Sequence, residues 1–135
     1  MIELHGSGRT VQCLECGRTE PRADVQKRLE IEMPPRCRTC GGTMLKPTVV
    51  LFGEPMPPTA VTEALDLARQ SDLILMVGTS LVVYPAAEVP LVAVRSGARM
   101  IVVNAEPTPF DGFAEVVIHG RSGEILPELA RLTGE

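Results

Sequence analysis

Cys13-Leu14-Glu15-Cys16, then residues 17 to 36, then Cys37-Arg38-Thr39-Cys40: this stretch organises the chain. Two Cys-x-x-Cys knuckles about twenty residues apart are what a tetrahedral four-thiolate zinc site requires. Each knuckle sets two sulfurs on one side of a tight turn, and the intervening segment brings the second pair round. Cys16-Gly17 and Cys40-Gly41-Gly42 suit such turns, because glycine bends without a Cβ clash. The chain holds four cysteines in all, so none is left over. Two disulfides are an alternative, but no secretory signal is visible and intracellular thiols stay reduced. A thioredoxin-type redox pair uses one knuckle, not two. Four thiolates can also hold an iron–sulfur cluster, although the paired spacing favours zinc. Four protein ligands leave zinc no open position, so its expected role is structural and the chemistry must lie elsewhere.

At 135 residues the chain is of single-domain size, and the zinc module takes about a third of it. The net charge of −4 argues against a general nucleic-acid binder. No apolar run is long enough for a membrane span. A cytoplasmic protein is expected. Neither an internal repeat nor a low-complexity segment is visible.

Outward from the knuckles, residues 1–7 form a short apolar run that ends near His5-Gly6. By its chemistry alone a lone histidine reads as a surface or cap residue. Residues 8–47 make the zinc module: Thr10-Val11-Gln12 enters the first knuckle as a strand, and the charged stretch from Glu20 to Glu32 reads as a solvated excursion. After Pro47 the character changes. Thr48-Val49-Val50-Leu51-Phe52 reads as a buried strand ending at Gly53-Glu54-Pro55. From Thr59 a helix carries Val61, Ala64, Leu65 and Ala68 on one face. Leu73 to Val77 is a continuous apolar run, expected to be a central parallel strand buried on both faces. A second helix over Pro90 to Ser96 precedes the strand Met100 to Val103. A turn at Phe110 to Ala114, a strand Glu115 to Ile118, and a helix with Ile125, Leu129 and Leu132 on one face complete the chain. Strands alternating with helices over 48–135 predict α/β architecture with a parallel sheet. Ligands of such sheets bind beyond the carboxyl ends of the strands. That marks Gly53, Glu54, Gly78 to Ser80, Asn104, Glu106 and Gly120 to Ser122.

Five motifs in order carry a family resemblance: Glu3-Leu4-His5-Gly6, the four cysteines, Val50-Leu51-Phe52-Gly53-Glu54, Gly78-Thr79-Ser80-Leu81-Val82-Val83-Tyr84-Pro85 and Val103-Asn104-Ala105-Glu106-Pro107-Thr108. Over nearly its whole length the chain resembles the C-terminal half of a sirtuin, the Sir2 family of NAD-dependent protein-lysine deacylases, of the bacterial and archaeal type. The resemblance implies a partial Rossmann-like parallel sheet with a small four-cysteine zinc module, an NAD cofactor and a structural Zn²⁺ on Cys13, Cys16, Cys37 and Cys40. It implies removal of acetyl from lysine, with nicotinamide and O-acetyl-ADP-ribose as products.

Residue roles follow from the same match. His5 takes the place of the family's catalytic histidine, a general base on a ribose hydroxyl; imidazole suits that task because it changes charge near neutral pH. Gly78, Thr79 and Ser80 match the turn that holds NAD. Asn104, Ala105 and Glu106 match the Asn-x-Glu segment at the adenosine ribose, with alanine for the commoner leucine. Ser122 falls where the last adenine contact is placed, by a looser alignment. Val50, Phe52, Gly53 and Glu54 on one side, and Val82, Val83 and Tyr84 on the other, match the segments between which an acetyl-lysine peptide lies as an added strand. For Phe52 and Val83, core packing is the competing reading.

The family's other half precedes the catalytic histidine, with the first Gly-rich phosphate turn, the mobile cofactor loop and the nicotinamide pocket. None of these occurs here. The expectation is therefore an incomplete enzyme (a truncated copy, one half of a split sirtuin, or an incompletely recorded sequence) that requires a complementary N-terminal half or self-associates. The alternative is a non-catalytic zinc-bearing binding module.

Overall fold

The computed structural model of the chain describes residues 1–134. It divides into two compact units, Met1–Ala60 and Val61–Glu135. No helix among the described residues is long and apolar enough to cross a membrane.

The first unit is built on a three-stranded antiparallel sheet in the order β2-β1-β3. Strand β1 spans Gly6–Cys13, β2 Thr19–Pro21 and β3 Leu45–Val49. The charged stretch between the knuckles is mostly exposed to solvent, as expected, but it is also structured. It forms β2 and then helix α1, Arg22–Leu29, which buries Val25. The reason is electrostatic. The Arg28 guanidinium reaches back to Glu20 with bonds of 2.8 and 2.6 Å, and both side chains are largely buried. The bidentate pair uses up charges that would otherwise hold the segment in water.

The apolar run after Pro47 also differs from expectation. Its strand is Leu45–Val49, antiparallel to β1, rather than a buried strand over 48–52 in the parallel sheet. Thr48 decides the pairing. Its hydroxyl donates to the Ser7 carbonyl at 2.7 Å and meets the Thr10 hydroxyl at 2.6 Å, filling the register shift between Ser7 and Val11. Beyond β3 the chain turns, and Phe52 is 99% exposed.

In the second unit, helix α2 (Pro58–Gln70, running in from the first unit) leads to β4 (Leu73–Val77), α3 (Glu88–Arg95), β5 (Arg99–Asn104), a 3-10 turn at Asp111–Phe113, β6 (Val116–His119) and α4 (Ser122–Thr133). Strands β4, β5 and β6 are parallel and adjacent in chain order. This is the α/β arrangement expected. Pro127 sits inside α4.

The core lies on one face of this sheet. Leu81, Ala87, Met100, Val102 and Phe110 are buried together, and Ile74, Met76 and Leu91 pack against them. A second cluster of small residues, Ala68, Ala93 and Ala98, is buried with Ile74, Val89 and Val92 against it. The other face is not covered along β4. Leu73 is 45% and Leu75 47% exposed, which corrects the expectation of a strand buried on both sides. Among the described strands β4 pairs only with β5, so it is an edge.

Candidate functional site

The two knuckles fold alike. In each, the glycine after the second cysteine takes a positive φ (Gly17 +74°, Gly41 +76°) and donates its N–H to the carbonyl of the first cysteine, at 2.8 and 2.9 Å. Cys13 N–H donates to Arg18 and Cys37 N–H to Gly42, which closes each turn. The four sulfurs lie within 4.8 Å of one another, with Cys13 to Cys40 and Cys16 to Cys37 both 3.7 Å apart. A Zn–S bond of about 2.3 Å places tetrahedral sulfurs roughly 3.8 Å apart, so the donor set fits zinc. The surroundings act differently on the sulfurs. The backbone N–H groups of Cys40 and Thr39 pull Cys37 down to about 6. At Cys40 the Gly42 N–H acts in the same direction, but the neighbouring sulfurs and burial outweigh it and push the thiol up to about 12. Four thiolates this close repel one another; a dication at their centre lets all four ionise.

In the same unit, His5 is exposed and stands just before β1. Its carbonyl accepts the Val50 N–H at 2.9 Å, so the histidine and Val50 are held side by side. Gly6 follows at φ +66°, and a Cβ there would strike the Thr48 carbonyl. Only glycine fits, which is a structural reason for the His-Gly dipeptide. The turn after Val50 is fixed by Glu54, whose carboxylate accepts the Leu51 N–H at 2.9 Å and the Lys46 ammonium at 2.8 Å. The Leu51 amide and that ammonium hold its pKa below the usual carboxylate range. Phe52 and Val83 are both exposed, so neither serves the core.

The second unit gathers the remaining candidates at the carboxyl ends of its strands. Gly78 ends β4 at φ +58° and donates its N–H to Val103 at 3.0 Å. A Cβ at Gly78 would lie 3.7 Å from the Ser122 hydroxyl, so the turn and the start of α4 face each other across a space that a side chain would fill. That cradle, lined by a bare backbone and hydroxyls, suits phosphate or ribose oxygens. Thr79 accepts the Leu81 N–H at 3.3 Å on its hydroxyl. Leu81 has φ +55° and is buried, so the turn is strained and pinned by its own core residue. At the end of β5, Asn104 donates through its amide to the Glu106 carbonyl at 2.8 Å, and its own carbonyl accepts the Gly120 N–H at 3.1 Å. Ala105 and Glu106 are exposed beside it. Val82 and Tyr84 lie exposed past the Gly78 turn.

One cluster escapes a reading by motif. Thr108, Asp111 and His119 form a chain of polar contacts between β5 and the end of β6. The Thr-x-x-Asp spacing is a capping signature that would have found the first two.

Comparison with known proteins agrees with this geometry. Residues 1–85 match the model of the Sir2 family. The NAD-dependent protein deacylase 2 of Archaeoglobus fulgidus is 46% identical over 129 residues, covering 96% of this chain and 51% of that protein. The NAD-dependent protein deacetylase 1 of Geobacillus kaustophilus is 49% identical over 130 residues, again 96% of this chain and 51% of that one. Among solved structures, a Sir2–p53 peptide–NAD+ complex superposes with a TM-score of 0.91 at 38% identity, over 98% of this chain and 55% of that one. A Sir2Tm structure bound to a propionylated peptide gives the same TM-score over 56% of its chain. The chain thus spans about half the length of the relatives it matches. On the strength of the family-model match, which takes in more than half of its length, the chain belongs to the Sir2 family.

Proposed function

We propose that the chain forms half of an NAD-dependent protein-lysine deacetylase, and that it works together with a complementary half. The observation that carries this reading is the meeting of Gly78, Ser122 and Asn104 at one sheet edge, in a chain of this family. Gly78, Thr79, Ser80, Asn104, Ala105, Glu106 and Ser122 hold NAD, whose ribosyl–nicotinamide bond supplies the chemistry when it is bound. His5 takes a proton from a ribose hydroxyl; its exposed ring and its tether to Val50 suit that role. Val50 to Glu54 and Val82 to Tyr84 take the acetyl-lysine peptide as an added strand, and the exposure of Phe52, Val82, Val83 and Tyr84 supports this. Zinc on the four cysteines is structural, and a four-thiolate zinc site suits a reducing, cytoplasmic location. In domain terms, residues 1–7 carry the base, 8–47 the metal module and 48–135 the cofactor-binding part.

The complementary half adds a strand to β4. That edge carries unpaired backbone groups, and Leu73 and Leu75 need cover. Alone, the chain is expected to self-associate and to bind NAD weakly; a monodisperse, cooperatively unfolding monomer with full NAD affinity would overturn the need for a partner. The activity is tested by supplying the complementary half and measuring nicotinamide release from NAD and an acetyl-lysine peptide. His5→Tyr is expected to abolish release, and retained turnover would refute the assigned base.

A further inference from the structure

Between β5 and β6 the chain makes a closed circuit of polar contacts. Asn104 holds Glu106 through its side-chain amide. Thr108, which is 9% exposed, donates its hydroxyl to one Asp111 oxygen at 2.5 Å and its N–H to the other at 3.1 Å. The second oxygen also lies 3.8 Å from Nε2 of His119. His119 ends β6 directly opposite Asn104 in the parallel register, and the next residue, Gly120, returns its N–H to the Asn104 carbonyl. The circuit is anchored inward by Phe110, whose N–H donates to the Thr108 hydroxyl at 3.2 Å and whose ring is buried against Met100 and Val102.

A turn cap alone requires one acceptor. Asp111 uses both of its oxygens on Thr108 and also faces an imidazole on another strand. The two Thr108 bonds and then the His119 charge hold its pKa below the usual range. What the carboxylate fixes is the placement of Asn104 and Glu106 relative to Gly120, Arg121 and Ser122.

We propose that Asp111 is a positioning residue for the adenosine end of the cofactor, acting through Thr108 and His119. This rests on the reading that Asn104, Glu106 and Ser122 contact that end. The ligand chemistry is a ribose with an attached diphosphate, so ADP-ribose is the probe.

The test titrates ADP-ribose into the full 135-residue chain and follows backbone amide shifts, with amide exchange at Gly120 as a second readout. In the wild type, millimolar ADP-ribose is expected to shift residues 104 to 106 and 120 to 122. Asp111→Asn is expected to weaken binding about tenfold, the effect of losing one charge-assisted hydrogen bond, and to speed Gly120 exchange. Thr108→Ser keeps the hydroxyl and should restore wild-type values. His119→Ala leaves the turn cap whole and should weaken binding roughly threefold. If Asn104→Ala weakens binding while Asp111→Asn and His119→Ala bind like the wild type, the positioning role is overturned and the cofactor reading stands. If the wild type shows no shifts at these residues even with the complementary half supplied, or Asn104→Ala binds normally, the cofactor reading fails and takes this inference with it. Should Asp111→Asn lose the amide protection of Val102 and Val103, His119→Ala alone decides, and unchanged affinity there refutes the proposal.

Discussion

The two units of this chain are stabilised by different physics. Among the described residues of Met1–Ala60, those buried are Val11, Val25, Pro35 and two of the four cysteines, Cys13 and Cys37. Among those of Val61–Glu135 ten hydrophobic residues and Pro90 are buried, including Met100, Val102 and Val103 at 1% exposure or less. The first unit has too little core to hold itself and relies on sulfur geometry and an ion pair. The second has a packed face and needs no metal. A small lobe with a short antiparallel sheet cannot bury enough surface to offset its chain entropy, so a cross-link by metal substitutes for volume.

The largest test of this contrast is chelation. Removing the metal forfeits on the order of 10 kcal/mol of binding free energy, so the first unit should unfold. Amide protection in β1 to β3 is expected to vanish, while β4 to β6 keep theirs. Metal analysis should return one zinc per chain. Iron, an absent metal under reducing conditions, or retained protection in β1 to β3 would break the contrast.

Next in size is a cavity in the second unit. Met100→Ala should cost about 3 kcal/mol, since a fully buried methionine is truncated in a face that cannot collapse onto solvent. Denaturant unfolding followed at Val102 and Val103 reads that loss, and the cysteine site should retain its zinc. Equal destabilisation of both units would mean that they unfold as one.

The ion pair gives a smaller, pH-dependent effect. Hydrogen bonding to Arg28 lowers the Glu20 pKa from its ordinary value of 4.5. A depressed carboxylate stabilises the fold above its unfolded pKa and loses that contribution as pH falls through the folded one. Stability of the first unit should therefore begin to drop below pH 4.5 and go on dropping to the depressed pKa. Glu20→Gln should cost about 1 kcal/mol near neutral pH and flatten that part of the acid slope. A slope identical to wild type would assign the acid sensitivity to the other groups of the unit, Glu54 and the thiolates.

The smallest effect belongs to Leu81. Replacing it by glycine relieves about 1–2 kcal/mol of left-handed backbone strain and forfeits about 2 kcal/mol of burial, so thermal unfolding should hardly move. Leu81→Ala keeps the strain and loses the burial, and should destabilise clearly. If both variants behave alike, the strain is not real.

How much of this is legible in the sequence follows from range. The knuckles are legible because cysteine spacing and the following glycine act locally. The order of strands and helices from Leu73 onward is legible for the same reason. The helix at Arg22–Leu29 is not, because its cause is a contact from Arg28 to Glu20 that no short-range pattern announces. The strand at Leu45–Val49 eludes a local reading because a β-branched run looks alike in parallel and antiparallel sheets; Thr48 sets the pairing through partners some forty residues away. Leu73 and Leu75 look buried because an apolar run says what needs cover, not what supplies it. At the site, Gly78, Asn104 and Ser122 stand out in the sequence, but their meeting at one edge is visible only in three dimensions. Thr108 and Asp111 carry a readable signature, overshadowed by the stronger motif just before them.

Leu81 has one more consequence. Its left-handed backbone survives only because its side chain fills a slot between Ala87, Met100, Val102 and Phe110. The shape of the turn after β4 is therefore indexed to the volume of that slot. A swap of Phe110 for a smaller residue changes no residue of the turn, yet it empties part of the slot and lets the leucine relax and the neighbouring backbone drift. In a lineage of such chains, those interior positions would have to change in concert with Leu81, as a lock and its key are cut together.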